Sequence, residues 1–454
     1  MGHLGAMQSS STIAAVATAA GTGAIGIVRI SGSKSAEIVS RVAGKLPEPR
    51  RASLQTLYDA QHERLDRGLV LYFAAPASYT GEDMVEFHLH GGPAILARML
   101  QAVYAFGAEP ARPGEFTERA FLNGKLDLVQ AEAVADLISA STARSLRAAN
   151  LAISGRFSTA IRAISATLVA TRSRLEAIID FSEDLTVDEI AASMFETTQT
   201  LRLQIAALLS SAQQGAQLAR GLRVVLIGRP NSGKSTLLNA LSGQNRAIVS
   251  ATPGTTRDVL RAEVNFEGLL VTVVDTAGLH NTIDEIEREG MRRALAEVAT
   301  ADMLLCLYDA TETRPEISDL LAPSQVRPSA LIYVRNKIDA CGERASVKLI
   351  GEHPEVSISA VNGEGVDTLA RAILSTMAID IESDSPLLAR ERHINALKKA
   401  LEMLDFSSTT EFLFDPVESA ERLRLAHRSL GELTGEFTSE ALLGEIFSRF
   451  CIGK

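Results

Sequence analysis

Gly228-Arg229-Pro230-Asn231-Ser232-Gly233-Lys234-Ser235 lies between an apolar run, Arg223–Ile227, and a stretch of helical character, Thr236–Leu241. It has the form G-x-x-x-x-G-K-S. Its glycines let backbone N–H groups turn toward phosphate oxygens, and the helix that follows adds partial positive charge. Strand, loop and helix in that order mark a phosphate-binding loop rather than a glycine-rich turn. Lys234 is placed to reach the β- and γ-phosphates and Ser235 to ligate Mg2+. Asn231, Ser232, Gly233 and Thr236 complete the expected phosphate contacts.

Four more apolar runs follow, alternating with helical stretches: Val271–Val274, Met303–Tyr308, Ala330–Val334 and Val356–Ile358. That alternation implies an α/β unit with a mostly parallel, doubly wound sheet over residues 221–381. Asp275-Thr276-Ala277-Gly278 closes the second run. An Asp there can hold the Mg2+ shell, and a Gly lets its N–H approach the γ-phosphate. Asn336-Lys337-Ile338-Asp339 follows the fourth run. The Asp339 carboxylate can accept both N–H groups on the guanine edge, a pattern adenine does not present. Ser359-Ala360, after the fifth, is expected to offer a backbone N–H to guanine O6. Each motif alone is an ordinary turn. All four in this order match a P-loop GTPase.

The segment Ser250-Ala251-Thr252-Pro253-Gly254-Thr255-Thr256 stands where a switch belongs, with Thr256 placed to complete the Mg2+ shell when a γ-phosphate is present. Leu279 follows the D-T-A-G turn, where Ras-like enzymes keep a Gln that orients water. Leu has no donor or acceptor, so that task must pass elsewhere; the nearby acids are Asp284, Glu285, Glu287 and Glu289, and spacing does not choose among them. The transition state also needs a cation. A monovalent ion beside Asn231 is one candidate; Arg229 and Arg257 are rivals.

The flanks differ in character. Residues 11–120 mix strand-like runs (Thr12–Thr18, Ile25–Ile30, Met84–Leu89) with a helix opened by Pro93 and running to Tyr104, which is an α+β pattern. From Leu126 to Arg220, and again over 386–450, apolar residues recur at helical spacing, as in Leu168, Leu175, Ile178 and Ile179. Breaks are expected near Gly155 and near Ser182–Val187. Helical sequence on both sides of the α/β unit implies that the latter is inserted into one discontinuous all-α domain. The expected layout is 8–123, then 124–220 plus 382–454, with 221–381 inserted.

Bulk properties narrow the function classes. A chain of 454 residues is too long for one core. Its net charge of −10 excludes nucleic-acid binding by bulk electrostatics, so any RNA contact needs a local basic patch or a second protein. Cys306, Cys341 and Cys451 are far apart and suit a reducing cytosol. No apolar run approaches the roughly 18 residues of a membrane span, so no membrane partner is expected. Met1–Met7 lack the apolar stretch of a signal peptide and stand outside the fold reasoning.

Further motifs reach beyond the nucleotide site: Gly26-Ile27-Val28-Arg29-Ile30-Ser31-Gly32, Tyr79-Thr80-Gly81-Glu82-Asp83, His90-Gly91-Gly92, Pro113-Gly114-Glu115-Phe116-Thr117, Lys125-Leu126-Asp127-Leu128, Gln130-Ala131-Glu132-Ala133 and Cys451-Ile452-Gly453-Lys454. With these the chain resembles the MnmE/TrmE tRNA-modification GTPases over nearly its whole length. The resemblance implies an N-terminal folate-binding and dimerising α+β domain, a helical domain and an inserted P-loop GTPase domain. It implies a homodimer whose GTP hydrolysis is activated by K+ and by pairing of the GTPase domains. Carried over by motif, K+ falls to Asn231, Ser250, Thr252 and Thr255, Mg2+ to Ser235 and Thr256, and the water-orienting acid to Glu287. Lys234 and Thr256 join Glu287 in the hydrolytic set. Folate contacts fall to Arg29, Glu86, Lys125 and Lys454, and Cys451 to a place near the modification chemistry.

The resemblance further implies a flavoprotein partner of the MnmG/GidA kind, carrying FAD, in a heterotetramer or larger complex. The substrate is then the wobble uridine of certain tRNAs. Its C5 would gain an aminomethyl or carboxymethylaminomethyl group from a tetrahydrofolate derivative, in the 5,10-methylene or 5-formyl form. One departure stands out: Ala19-Ala20-Gly21-Thr22 replaces the family's Pro-Pro-Gly-Arg. The rival reading is a ribosome-assembly GTPase switch without tRNA-modifying activity, which would carry a basic RNA-binding appendage. Arg390, Arg392, Lys398 and Lys399 are the nearest thing to one, and they read equally well as a solvated helix face.

Overall fold

The structure is a computed structural model describing residues 11–180, 187–244, 260–266, 269–275, 296–317, 320, 330–377, 389–448 and 450–453. The expected site residues Ser250 to Thr256, Thr276 to Gly278, Glu287 and Lys454 lie outside the described residues, as does the side chain of Asp275. The chain divides into two units. One draws on 1–135, 152–206 and 395–454, the other on 136–151 and 207–394.

The first unit holds a six-stranded sheet: β1 (Thr12–Val16), β2 (Ile25–Ser31), β3 (Ser53–Tyr58), β4 (Arg64–Phe73), β5 (Met84–His90) and β6 (Ala108–Pro110), in the order β3-β4-β5-β2-β1-β6. Pairing is antiparallel except between β1 and β6. Helices α1 (Ser35–Ala43) and α2 (Pro93–Ala105) pack on one face, where Ile38, Val39, Met99 and Val103 meet Val28, Ile30, Val70, Val85 and Phe87. Side chains alternate across a strand. The same strands therefore send Ile27, Arg29, Glu86 and His88 to the opposite face. The three expected strands and the Pro-opened helix are present with ends shifted by at most two residues. Strands β3, β4 and β6 were not foreseen. The first two interrupt their apolar residues with Gln55, Thr56, Asp66 and Arg67, and β6 has only three residues.

Helices follow in the order α3 (Glu115–Leu122), α4 (Leu128–Ser139), α5 (Ala143–Ile153), α6 (Arg156–Asp180) and α7 (Val187–Arg220). The expected break at Gly155 is present, with a left-handed φ of 77°. The other expected break falls mostly on residues outside those described.

The second unit is built on a seven-stranded sheet. Its strands are β7 (Leu222–Gly228), β8 (Leu260–Phe266), β9 (Leu269–Asp275), β10 (Met303–Asp309), β11 (Leu331–Asn336), β12 (Ser346–Ile350) and β13 (His353–Ser357), in the order β12-β13-β11-β10-β7-β9-β8. The central five are parallel, and the edge strands β8 and β12 are antiparallel to their neighbours. Strands β7, β10 and β11 are buried almost throughout, as expected of parallel strands covered on both faces. Helices α8 (Lys234–Gln244), α9 (Ile338–Cys341) and α10 (Val366–Thr376) follow β7, β11 and β13. All five expected strands are present.

The chain then returns to helices: α11 (Glu391–Met403), α12 (Thr409–Phe414), α13 (Pro416–Thr434) and α14 (Glu440–Ser448). Asp415 caps α13 by accepting from the Glu418 N–H, and Pro416 fills the first turn, where an N–H would lack a partner anyway. Helix α13 runs along α6, and α14 packs on α3. Leu128 and Ala131 share a small core with Ile446, Phe447 and Phe450. Segments before and after the second sheet thus pack together within the first unit.

Candidate functional site

The nucleotide motifs converge on the carboxyl edge of the second sheet. In register, Gly228 stands beside Leu307, Asp309 beside Asn336, and Asp275 beside Leu226. Ligands of open α/β sheets bind at this edge. At Gly228 a Cβ would strike the Leu307 carbonyl, and at Gly233 (φ 97°) it would strike the Asn336 amide. Asn231 also sits in the left-handed region, at φ 62°, and is exposed. Lys234 opens α8 and donates from Nζ to the Gly228 and Arg229 carbonyls at 2.9 and 3.0 Å, so its ammonium lies over the loop it is expected to serve. Among the described residues, Ser232 Oγ is buried without a partner. A buried orphan hydroxyl inside a phosphate loop fits a ligand oxygen. Ser235 and Thr236 are exposed in the first turn of α8. Among the described residues no cluster of three His, Cys, Asp or Glu side chains forms a ready metal cage. A Mg2+ held by a hydroxyl and nucleotide phosphates needs none.

Asn336 joins the two halves of this site. Its Nδ2 donates to the Ser232 carbonyl at 2.9 Å, and its Oδ1 accepts from the Ala360 N–H at 3.0 Å. The phosphate loop and the loop after β13 are therefore tied through one buried amide. Lys337 takes a left-handed φ of 67° and donates to Asp309 Oδ2 at 2.7 Å. That bond, with the Thr311 N–H and hydroxyl, holds the Asp309 carboxyl down to about 2. Asp339 is exposed in the first turn of α9. Ser359 and Ala360 lie where expected, but their N–H groups are engaged, with Glu364 O and Asn336 Oδ1. A guanine O6 reaches the Ala360 donor only by sharing it. Arg229, a rival for the cationic role, faces Glu312 at 3.8 Å.

A second polar cluster occupies the face of the first sheet away from α1 and α2, where Phe116 packs on Ile13 and Ala15. Arg29 and Glu86 are register partners on β2 and β5. Arg29 donates from Nε and Nη2 to Glu86 Oε1 at 3.0 and 2.8 Å, and from Nη1 to the Gly453 carbonyl at 3.4 Å. Its guanidinium lies 5.8 Å from the Tyr79 ring centre and 5.7 Å from that of Phe116. The other Glu86 oxygen meets His88 Nε2 at 3.2 Å. Gly453 has a φ of 95°, and a Cβ there would strike the Val16 carbonyl. The tail is further held by the Gly114 N–H, which donates to the Cys451 carbonyl. Cys451 itself is exposed. Lys125 donates to the Pro76 carbonyl at 3.0 Å.

Two family models match this chain: "GTP-binding protein TrmE N-terminus" over residues 12–125 and "MnmE helical domain" over 128–451. The chain belongs to the MnmE/TrmE family of tRNA modification GTPases. Among its relatives, the tRNA modification GTPase MnmE of Alkalilimnicola ehrlichii is 45% identical over 98% of this chain and 99% of its own length. That of Nitrosomonas eutropha is 43% identical over 99% and 100%. A solved Era variant from Aquifex aeolicus, bound to GDP and AlF4−, covers 42% of this chain and 69% of its own at 26% identity and a TM-score of 0.28.

For an MnmE/TrmE chain, the structure brings Asn231, Ser232, Gly233, Lys234, Ser235, Asn336 and Asp339 to one sheet edge. It joins Arg29, Glu86 and Gly453 on another sheet. Glu86 is thus the ion-pair partner of Arg29. The departure at Ala19-Ala20-Gly21-Thr22 is exposed and begins two residues past Ala17, which Gly453 abuts. Arg390, from the supposed basic face, pairs with Asp136 at 3.0 Å. Reasoning from sequence missed His88 and Asp309. The period-two alternation from Glu86 could have pointed to the first.

Proposed function

We propose that this chain hydrolyses GTP and, with an FAD-dependent partner, couples that reaction to modification of C5 of the wobble uridine in certain tRNAs. The product would be an aminomethyl or carboxymethylaminomethyl form built from a methylene-tetrahydrofolate carbon. The observation that carries the nucleotide half is the Asn336 bridge between the phosphate loop and the Ser359-Ala360 loop. Family membership supports the tRNA half.

Within this reading Lys234 neutralises the β- and γ-phosphates, and Asp339 selects guanine. Ser235 and Thr256 hold Mg2+, while Asn231, Ser250, Thr252 and Thr255 hold K+. The bound cations supply positive charge where the γ-phosphoryl leaves. Glu287 orients the attacking water in place of the Gln that Leu279 replaces. An exposed, left-handed Asn231 in the phosphate loop supports the K+ assignment, and the orphan hydroxyl of Ser232 supports a phosphate ligand. Arg29 and Glu86 pair on the first sheet, and these two with the cations Lys125 and Lys454 suit folate, which combines a glutamate tail with a pterin ring. Within the same reading Cys451 serves near the modification chemistry.

The α/β unit is read as an insert into a discontinuous helical domain, supported by the packing of α6 along α13. A cytoplasmic homodimer, joined by the flavoprotein, is the working assembly. Among the described residues no helix is long and apolar enough to cross a membrane.

Mass spectrometry of tRNA nucleosides from a strain lacking this protein tests the reading. Loss of the C5 modification is expected, and an unchanged wobble uridine overturns it. GTP turnover should be much faster in KCl than in NaCl at equal ionic strength, with Asn231→Ala erasing the difference. Equal rates in both salts refute the K+ assignment.

A further inference from the structure

Glu86 has unequal oxygens. Oε1 accepts both Arg29 donors, at 3.0 and 2.8 Å, and among the described residues Oε2 faces only the His88 Nε2, at 3.2 Å. A carboxylate offers about four lone-pair positions. Two are taken on Oε1 and one on Oε2, so Oε2 is the oxygen with capacity left for a ligand N–H. His88 follows Glu86 by two residues on β5, on the same face of the sheet. The neighbouring strands place Leu69 and Ile27 beside it in register. Among the described residues Glu86 is the polar partner of its ring. The imidazole is about a quarter exposed and Glu86 less so.

We propose that His88 is a positioning residue for the folate site. Its Nε2–H holds Glu86 Oε2 so that the remaining lone pair faces the incoming N–H donors of the pterin ring. This rests on the folate reading above and adds a residue to it. Arg29 fixes one carboxylate oxygen and, through Nη1, the Gly453 carbonyl. Without His88 the carboxyl group pivots about the Arg29 contact, and Oε2 turns away from the pterin edge. Only a hydrogen-bond donor at this height on the strand can do the work. Gln therefore substitutes and Leu does not.

The test is equilibrium binding of 5-formyltetrahydrofolate to the full chain, comparing wild type with Glu86→Gln, His88→Leu and His88→Gln. Loss of a hydrogen bond that orients a charged group is expected to weaken binding about tenfold in His88→Leu. His88→Gln should restore it to within about threefold of wild type. GTP turnover should match wild type in both His88 variants and the Tm should fall by no more than a few degrees, whereas a damaged sheet would disturb both strongly. Three outcomes decide the matter. A wild-type chain that fails to bind the folate removes the folate reading and this proposal with it. Binding that Glu86→Gln abolishes but His88→Leu leaves unchanged overturns the positioning role alone. A loss in His88→Leu that His88→Gln does not recover also overturns it, because the donor is then not what matters.

Discussion

Replacing Asn336 by Ala probes the centre of the nucleotide site. Asn336 is 2% exposed, and its side chain makes two hydrogen bonds, to the Ser232 carbonyl and from the Ala360 N–H. Removing it orphans both backbone groups. Each buried group left without a partner costs about 1–3 kcal/mol. The two together cost about 2–6 kcal/mol, with the lower end applying if water enters the vacated space. Part of that appears as lost stability of the second unit. The rest is expected as lost nucleotide affinity, since the bridge ties the phosphate loop to the Ser359-Ala360 loop proposed to face guanine. A share of only about 1.4 kcal/mol is tenfold in a dissociation constant. We expect GDP affinity, measured with a fluorescent GDP analogue, to fall by at least about tenfold in Asn336→Ala. We also expect a calorimetric Tm several degrees lower. Affinity within twofold of wild type refutes the bridge as a coupling device. That holds even if the Tm falls, because the amide would then serve folding alone.

Other predictions address different residues. Asp339→Asn replaces an acceptor by a donor, so GTP affinity should fall by at least about a hundredfold while a xanthine nucleotide, with an acceptor at that edge, gains; competition binding with the two nucleotides reads this directly. The Asp309 carboxyl titrates near 2 when folded, against an ordinary value of about 3.9. Because its folded value is depressed, the Lys337 pair contributes stability that is whole above about pH 4 and lost as pH falls through 2. Between those limits the Tm of wild type should drop more steeply than that of Lys337→Met, and parallel curves would dismiss the pair. Burial pushes the Cys306 thiol up to about 12, whereas Cys341 and Cys451 are exposed. A thiol reagent should label the two exposed cysteines in the folded protein and Cys306 only on unfolding; rapid labelling of Cys341→Ser/Cys451→Ser would contradict that.

Much of the nucleotide site was legible because its chemistry is local. Gly228 to Ser235 is one turn between a strand and a helix, and the central strands are nearly unbroken apolar runs. Strand β8 escaped notice although Leu260, Ala262, Val264 and Phe266 alternate with polar residues. A search for continuous apolar runs passes over period-two strands. Strand β12 carries almost no burial signal, since Val347 to Ile350 are all exposed. The bridging role of Asn336 was hidden for another reason. Its partners lie 104 and 24 residues away, and only the folded sheet brings them together. Arg29 could be flagged as a charge among apolar residues, yet its pairing with Glu86 depends on a register that sequence spacing does not fix.

The contact between Arg29 and Gly453 joins positions 424 residues apart. Loop-closure entropy grows slowly, by about 0.6 kcal/mol per doubling of length, so such a clasp weighs little on equilibrium stability. Its consequence is temporal. Contacts between distant positions form late, after the elements that carry them have settled. Strands β1 and β2 and helix α14 must stand before Gly453 can find the Val16 carbonyl. A refolding chain should therefore regain sheet and helix signals first and the Arg29–Gly453 clasp last. In native-state hydrogen exchange, the amides of the docked tail should open more readily than those of the sheet they close upon.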